Sequence, residues 1–533
     1  MVVDHEEGSE TVVPEFPLIA RSESVGAFSW TERSEEEDDD ETSRRSGIIL
    51  LEVKKQTEIA GPLVMVGFLQ YGVQMISVIF IGHLGELSLS RATMATSFAG
   101  VSGYYIVLGM ASALETFFGQ AYGYGAEQHH MLGIQMQRAM LVLMLSCLPI
   151  SLIWALTAHI FTLCGQDPQI SEQAGIYARW LIPSIFPYGL LQCQLRFLQA
   201  QTIVKPLIIS SIIITLLHVL VSWALIHRFA LGNRGAALSV AISYWINALI
   251  LAVYIRSSSA CSKTWTGFSK EGVKDLASFL SLAIPSAFMV CLEYWSYELL
   301  VLMSGFLPNP KLETSMMAIS FDTSSLVFRI PYGLGSAVST RVSNELGAGK
   351  PRVARLAAQI AISLAAAQGL VVSLTMFSVR NAWGYMYTNE EEVVKYMASV
   401  MPVLVISTFM DGIQAALSDF RAAKGIARGC GWQKMAAFVN LGAYYLVGLP
   451  LSIILAFVLD LGGNGLWMGI ISGTGSQALL ILVLTIHTDW EYQARKARER
   501  VDSSSGTAME IEPENRFSSA ATVSCEKPYQ EAI

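Results

Sequence analysis

Twelve stretches of mostly apolar residues, each a little over twenty long, occupy most of this 533-residue chain. They lie near 59–81, 92–114, 136–158, 176–198, 206–228, 236–256, 279–303, 316–340, 354–378, 396–418, 435–459 and 463–486. A hydrocarbon core about 30 Å thick takes about 20 residues of helix to cross. In that medium every backbone polar group must be satisfied within the segment or within a closed barrel. The ten-residue alternation of a membrane barrel strand is absent, so helices remain. Composition agrees: 53% of residues are apolar and only 15% charged, with mean hydropathy +0.46. A soluble protein carries about a quarter charged residues. A soluble enzyme, a disordered chain and a disulfide scaffold are therefore excluded. The expected fold is an all-α integral membrane protein with twelve transmembrane helices.

Charge sets the expected orientation. Lys and Arg flanking the spans divide 23 to seven between the two sides, which places both termini in the cytoplasm. The segment before the spans is different in kind. Residues 1–46 hold fourteen acids and four Arg, a net charge of −10, against −8 for the whole chain. Such a segment is expected to be a disordered, solvated tail. It has no basic n-region followed by an apolar stretch, so no cleavable signal is expected. The seven cysteines show no CxxC spacing and lie mostly in apolar surroundings, which points to packing rather than to metal or disulfide.

The chain also repeats itself. At an offset of 223, Pro62, Tyr71 and Gly82 match Pro285, Tyr294 and Gly305. At 224, Gly109, Ser112, Ala113, Thr116, Gly123 and Gly125 match Gly333, Ser336, Ala337, Thr340, Gly347 and Gly349. Leu231-Gly232 and Gly235 match Leu461-Gly462 and Gly465. Six spans per half is even, so both halves enter the membrane in the same direction. The two six-helix lobes should then be related by a pseudo-twofold axis along the membrane normal, with a site between them. The expected organisation is an acidic tail (1–46), an N-terminal lobe (47–258), a cytoplasmic linker (259–275), a C-terminal lobe (276–488) and a C-terminal tail (489–533).

Charges inside spans carry the chemistry. An ionisable group at mid-membrane costs about 2.5–3.5 kcal/mol on insertion scales and marks function by default. Glu293 lies deep in span seven and Asp411 in span ten. Each can exchange a proton between the two sides. The repeat mate of Glu293 is Gln70, an amide that can bind a solute but cannot carry a proton. Coupling should therefore sit in the C-terminal half, with Gln70 and Gln74 as polar wall residues or as interhelical hydrogen bonds. Asp322 and Arg329 are seven residues apart in span eight, on one helix face, and a structural ion pair is expected there. Glu298 should turn away from Glu293 toward a neighbouring helix. Pro183, Pro187 and Pro402 break backbone hydrogen bonds within spans four and ten. The GAGKPR run at Gly347–Arg352 lacks the phosphate-loop pattern, so nucleotide use is not expected.

Four runs carry a resemblance: GMASALETFFGQAYGYG (Gly109–Gly125), CLEYWSYELLVLMSGFLPNP (Cys291–Pro310), STRVSNELGAGKP (Ser339–Pro351) and DFRAAKGIARGCGWQK (Asp419–Lys434). From about Glu52 to Asp489 the chain resembles the plant branch of the multidrug and toxic compound extrusion family. The resemblance implies a two-lobed, proton-coupled carrier that exports organic solutes, a monomer with no cofactor, no metal and no nucleic acid. It implies proton-coupling roles for Glu293 and Asp411. The candidate solute contacts are Gln70, Gln74, Tyr294, Asp322 and Gln414. Glu115 and Arg341, where spans two and eight meet the cytoplasm, read as gate or anchor. Family members often carry Asn at the Asp322 position and an apolar or aromatic residue at the Arg329 position, so local charge balance departs here. The membrane is plasma or vacuolar. The rival readings are a flippase for lipid-linked sugars, which would line its cavity with cations, and a receptor or scaffold using the acidic tail.

Overall fold

The structure, a computed structural model, describes residues 29–84, 86–387, 391–416 and 430–504. Residues Met1–Leu51 form one unit and Glu52–Ile533 another. In the first, the described part is helical from Ser29 onward, where the charge run suggested a disordered tail through Ser46. The physical reason is local: Asp40 and Glu41 precede Arg44 and Arg45 by four residues, the spacing at which opposite charges support a helix.

The second unit is almost entirely helical. Its N-terminal half holds α1 (Ser29–Gly82, from Glu52 onward), α2 (Glu86–Ala99), α3 (Tyr105–Ser112), α4 (Leu114–Tyr124), α5 (Met131–Ala155) and α6 (Thr157–Leu163). It continues with α7 (Pro168–Ala200), α8 (Lys205–Trp223) and α9 (Gly232–Ser257). The C-terminal half holds α10 (Leu276–Ser304), α11 (Pro310–Val327), α12 (Arg329–Gly347), α13 (Pro351–Trp383) and α14 (Glu391–Ala416). After the residues near 417–429 come α15 (Gln433–Asn440), α16 (Leu449–Ile453), α17 (Gly462–Ile486) and a final α18 (Trp490–Ser504). Spans two, eight and eleven are thus each built from more than one helical piece.

Among the described residues nine stretches are long and apolar enough by composition to cross a membrane, and α7, the α11–α12 pair and α17 are not among them. The reason is where their polar residues point. Gln192, Gln194, Arg196 and Gln199 of α7 are all buried, as are Ser336, Ser339, Thr340 and Ser343 of α12. Polar groups facing protein lower a span's hydropathy without exposing it to lipid.

The repeat appears in the backbone. A π-turn at Ala224–Arg228 in the first half has its mate at Ile454–Val458. Ala230 and Gly232 then take left-handed φ values of 53° and 54°, and their mates Asp460 and Gly462 take 56° and 54°. Gly235 and Gly465 follow because a Cβ there would lie 2.8 Å from the Leu225 carbonyl and 2.6 Å from the Ala456 nitrogen. Each turn is tied off locally. In the C-terminal half, Glu313 accepts bonds from the Tyr396 hydroxyl (2.9 Å) and the Gly463 amide (3.0 Å), placing a carboxylate at the start of α17. In the N-terminal half, His218 of α8 is fully buried and bonded to Ser77 of α1 (2.9 Å), Ser222 (3.2 Å) and Ser243 of α9 (2.8 Å).

The halves meet through reciprocal close approaches. A Cβ at Gly109 of α3 would sit 2.6 Å from Ala287 Cα of α10, and one at Gly333 of α12 would sit 2.7 Å from the Val64 nitrogen of α1. These two contacts are repeat mates. Further along, a Cβ at Gly123 of α4 would fall on the Asn344 carbonyl of α12, and one at Gly347 on the Gln120 carbonyl. Small residues let helix backbones touch where lipid offers no hydrophobic drive to associate. We expect Gly123→Val to insert in the membrane but to keep α4 and α12 apart. Gly61→Ala and Gly475→Ala, which meet nothing within 4 Å, should be tolerated and gain up to about 1 kcal/mol. Spin-label distances across α4 and α12, with melting midpoints for the controls, check both.

Candidate solute site between the lobes

The seam between the lobes is fastened at the end that carries the basic loops. Arg341 of α12 forms a two-bond pair with Glu52 of α1, at 3.0 and 2.8 Å, and a second pair with Glu345 at 2.9 Å. All three side chains are nearly buried. Around them, Gln199 donates to the Ser336 carbonyl (2.9 Å) and to Thr340 Oγ1 (3.0 Å). Asn344 donates to the Ala200 carbonyl (3.2 Å), Gln56 to the Ala357 carbonyl (2.8 Å), and Gln433 to Thr116 Oγ1 (2.8 Å). Glu115 pairs with Arg196 at 3.6 Å inside the N-terminal lobe, both side chains under 5% exposed.

The last helix lies over this end and touches both lobes. Arg498 of α18 donates to the Ala348 carbonyl (3.0 Å), and Arg500 donates to Gln120 Oε1 of α4 (2.6 Å). Gln493 accepts from the Trp432 indole (3.0 Å). Arg500 and Val501 close a small cavity walled by Phe117, Gln120, Ala121, Met131 and Gln135. The expected C-terminal tail thus begins as a packed helix.

Midway along the spans the seam turns aromatic. Tyr105 of α3 stacks on Tyr294 of α10, rings 4.2 Å apart and 11° from parallel. Trp295 donates to the Val101 carbonyl at 3.1 Å. On the opposite side of the pseudo-axis, Arg329 of α12 lies 5.1 Å over the ring of Tyr71 of α1, whose hydroxyl donates to the Asp322 carbonyl at 3.3 Å. None of the described hydrogen bonds or ring contacts joins the lobes beyond this level toward Gly82, Glu86, Ser304 and Pro310. The lobes are closed at one end and meet at mid-span around polar and aromatic side chains.

Each sequence-derived candidate has a definite place. Glu293 is 3% exposed within α10 and engaged with its surroundings. Gln70 presents a buried Nε2 with no hydrogen-bond partner, and Gln74 bonds the Tyr244 hydroxyl of α9. Asp411 and Gln414 are on α14, and their side chains lie outside the described residues. The expected Asp322–Arg329 ion pair is absent. The Arg329 guanidinium lies instead over the ring of Tyr71, and the Tyr71 hydroxyl is bonded to the Asp322 carbonyl. Glu298 does face a neighbouring helix, within electrostatic reach of Tyr105. Sequence reasoning missed Glu52, Gln199 and Tyr105. The first two carry no signal in the chain itself. Tyr105 does: it is the repeat mate of Arg329.

Comparison with known proteins follows from this geometry. The MatE family model matches residues 62–224 and 285–454, one block per lobe. Protein DETOXIFICATION 16 of Arabidopsis thaliana is 53% identical over 454 residues, 85% of this chain and 92% of that one. Protein DETOXIFICATION 14 of the same plant is 44% identical over 468 residues, covering 88% and 95%. Among solved structures, the eukaryotic MATE transporter AtDTX14 superposes with a TM-score of 0.81 at 44% identity, over 85% of this chain and all of that one. A Vibrio cholerae MATE transporter shares the fold, with a TM-score of 0.73 at 17% identity over 84% and 100%.

The Glu52–Arg341 pair gives a direct test of the closed end. Glu52→Gln leaves a nearly buried guanidinium with Glu345 alone, a loss of roughly 1–3 kcal/mol. The melting midpoint should fall, and a cysteine placed at Ser339, buried in the seam, should react faster with a soluble thiol reagent. Unchanged labelling would show that the pair does not hold the lobes together.

Proposed function

Because this chain belongs to the MatE family of membrane transporters, we propose that it is a proton-coupled antiporter exporting organic solutes from the cytoplasm. Xenobiotics and secondary metabolites such as alkaloids, flavonoids and other phenolics are the solute classes. One observation carries the reading: an acid, Glu293, buried at mid-span beside a seam that is fastened at one end only. The fastened end bears the basic loops, hence the cytoplasmic side by the charge rule, with both termini there. The described conformation then faces outward.

In this reading Glu293 takes a proton from the acidic far side of a plasma or vacuolar membrane, with Asp411 as its partner in coupling. Protonation removes a charge and changes the hydrogen bonds that hold the solute, which leaves. The emptied carrier turns inward, loses its proton at neutral pH and binds the next solute. Each step needs only a difference in affinity of proton and solute for the two states. Gln70, the repeat mate of Glu293, supplies hydrogen bonding without titration, with Gln74, Tyr294, Asp322 and Gln414 completing the wall. Glu115 and Arg341 act at the cytoplasmic closure. A flippase for lipid-linked pyrophosphates would require a lining of several cations. Among the described residues of the mid-span seam, Arg329 is the single one, so the flippase reading has little support.

Proteoliposome uptake under an imposed pH gradient tests the proposal. Glu293→Gln should abolish gradient-driven exchange, at least tenfold below wild type at equal insertion, while solute binding at equilibrium persists. Full proton-driven exchange by that variant would remove Glu293 from the mechanism.

A further inference from the structure

Two buried hydrogen-bond donors at the mid-span seam have no acceptor: Arg329 Nε and Gln70 Nε2. They lie on facing helices. Gly67 of α1 approaches Arg329 so closely that a Cβ there would be 3.6 Å from Arg329 Cβ, and Gln70 follows Gly67 by three residues on the same helix face. Arg329 makes no ion pair with any described acid. Its one described partner is the face of Tyr71, at 5.1 Å. Neither Asp322, seven residues before it, nor Glu298, which is also within electrostatic reach of Tyr105, forms an ion pair with it. Arg329 is also within electrostatic reach of Tyr105 of α3 and Tyr244 of α9.

The repeat explains the placement and shows what is unusual about it. Tyr71 and Tyr294 are mates, and so are Arg329 and Tyr105. Where the first half stacks a tyrosine on Tyr294, the second lays a guanidinium on Tyr71. One side of the seam therefore pairs two phenol rings, beside the α10 acids Glu293 and Glu298, and the other carries a permanent cation with unused donors. A guanidinium out of water is stabilised most by an acceptor that takes two parallel bonds, and a carboxylate fits that fork. Cation–π contact alone leaves its in-plane N–H groups unused.

We propose that Arg329, with Gln70, is the anion-recognition point of the solute site, and that the favoured substrates are flat aromatic compounds bearing a carboxylate or a similar oxyanion. The oxyanion accepts from Arg329 and Gln70, and the ring lies among Tyr71, Tyr105 and Tyr294. This rests on the seam being the solute site, and it narrows the substrate class within that reading. It also assigns separate work to the two charged positions: Arg329 selects the solute, and Glu293 couples it to protons.

Equilibrium binding to the purified full chain in liposomes without a gradient provides the test. The probes are 4-hydroxybenzoate, its methyl ester and phenyltrimethylammonium at pH 7. Wild type should bind the carboxylate at least about tenfold more tightly than the ester or the cation. Arg329→Gln should erase that preference, Arg329→Lys should keep part of it, and Gln70→Leu should weaken carboxylate binding several-fold more than ester binding. Glu293→Gln should retain the preference. Equal binding of carboxylate and ester by wild type, or an unchanged preference in Arg329→Gln, overturns the proposal. If Arg329→Gln fails to fold, the wild-type ester comparison and the Gln70→Leu variant decide it. The preference is read without a gradient, so loss of proton-driven uptake with the preference intact would sink the antiport reading and leave this one standing.

Discussion

Backbone-to-backbone contact between the lobes is the constraint on which the rest of the molecule depends. Span two lies on span seven at Gly109, and span eight lies on span one at Gly333, so each lobe offers one thin helix to the other. A carrier must hold its halves together firmly in one state and release them in another. Large interdigitated side chains would make release slow, whereas glycine surfaces meet and part without repacking. Association without a hydrophobic drive then falls to packing and polar bonds. The Glu52–Arg341 pair, the amides of Gln199, Asn344 and Gln433, and the α18 arginines supply those bonds at one end.

Many polar residues within the spans face protein, and these sort into layers. The basic-loop end holds paired charges and amides. The middle holds aromatic rings, Glu293, Gln70 and Arg329. The opposite ends of the lobes hold self-contained knots, such as Glu313 with Tyr396 and Gly463. Each knot stabilises its own lobe and asks nothing of the other.

Duplication gives the architecture its symmetry, and two substitutions in the duplicated frame give it direction. Gln70 against Glu293 makes one half titratable and the other merely polar. Tyr105 against Arg329 sets a phenol at one of the paired positions and a guanidinium at the other. The same backbone positions, carried by the same helix breaks, thus present different chemistry to one central space. The interruption at Gly100–Tyr104, a π-turn, and that at Phe328 coincide in the repeat, so the break itself is inherited and only the side chain after it differs.

Much of this was legible in the chain. Hydropathy marked the spans because lipid leaves the backbone no alternative to helix, and matched glycines marked the repeat because close approach tolerates no Cβ. Glu293 stood out because an acid at mid-span is costly wherever it faces. Other features needed the fold. The Asp322–Arg329 spacing suggested a pair on one helix face, but the approach of α1 lays the guanidinium over Tyr71 instead. The sequence showed the charge run before span one but not that Ser29–Leu51 is helical, since solvated acids are compatible with either state. Glu52, at the edge of the first span, gave no sign that it would meet Arg341, because that pairing joins residues 289 apart in the chain. Sequence determined which segments are helices and which residues are mates. Tertiary structure decided which faces meet, because contact between lobes depends on the approach of distant backbones rather than on local spacing.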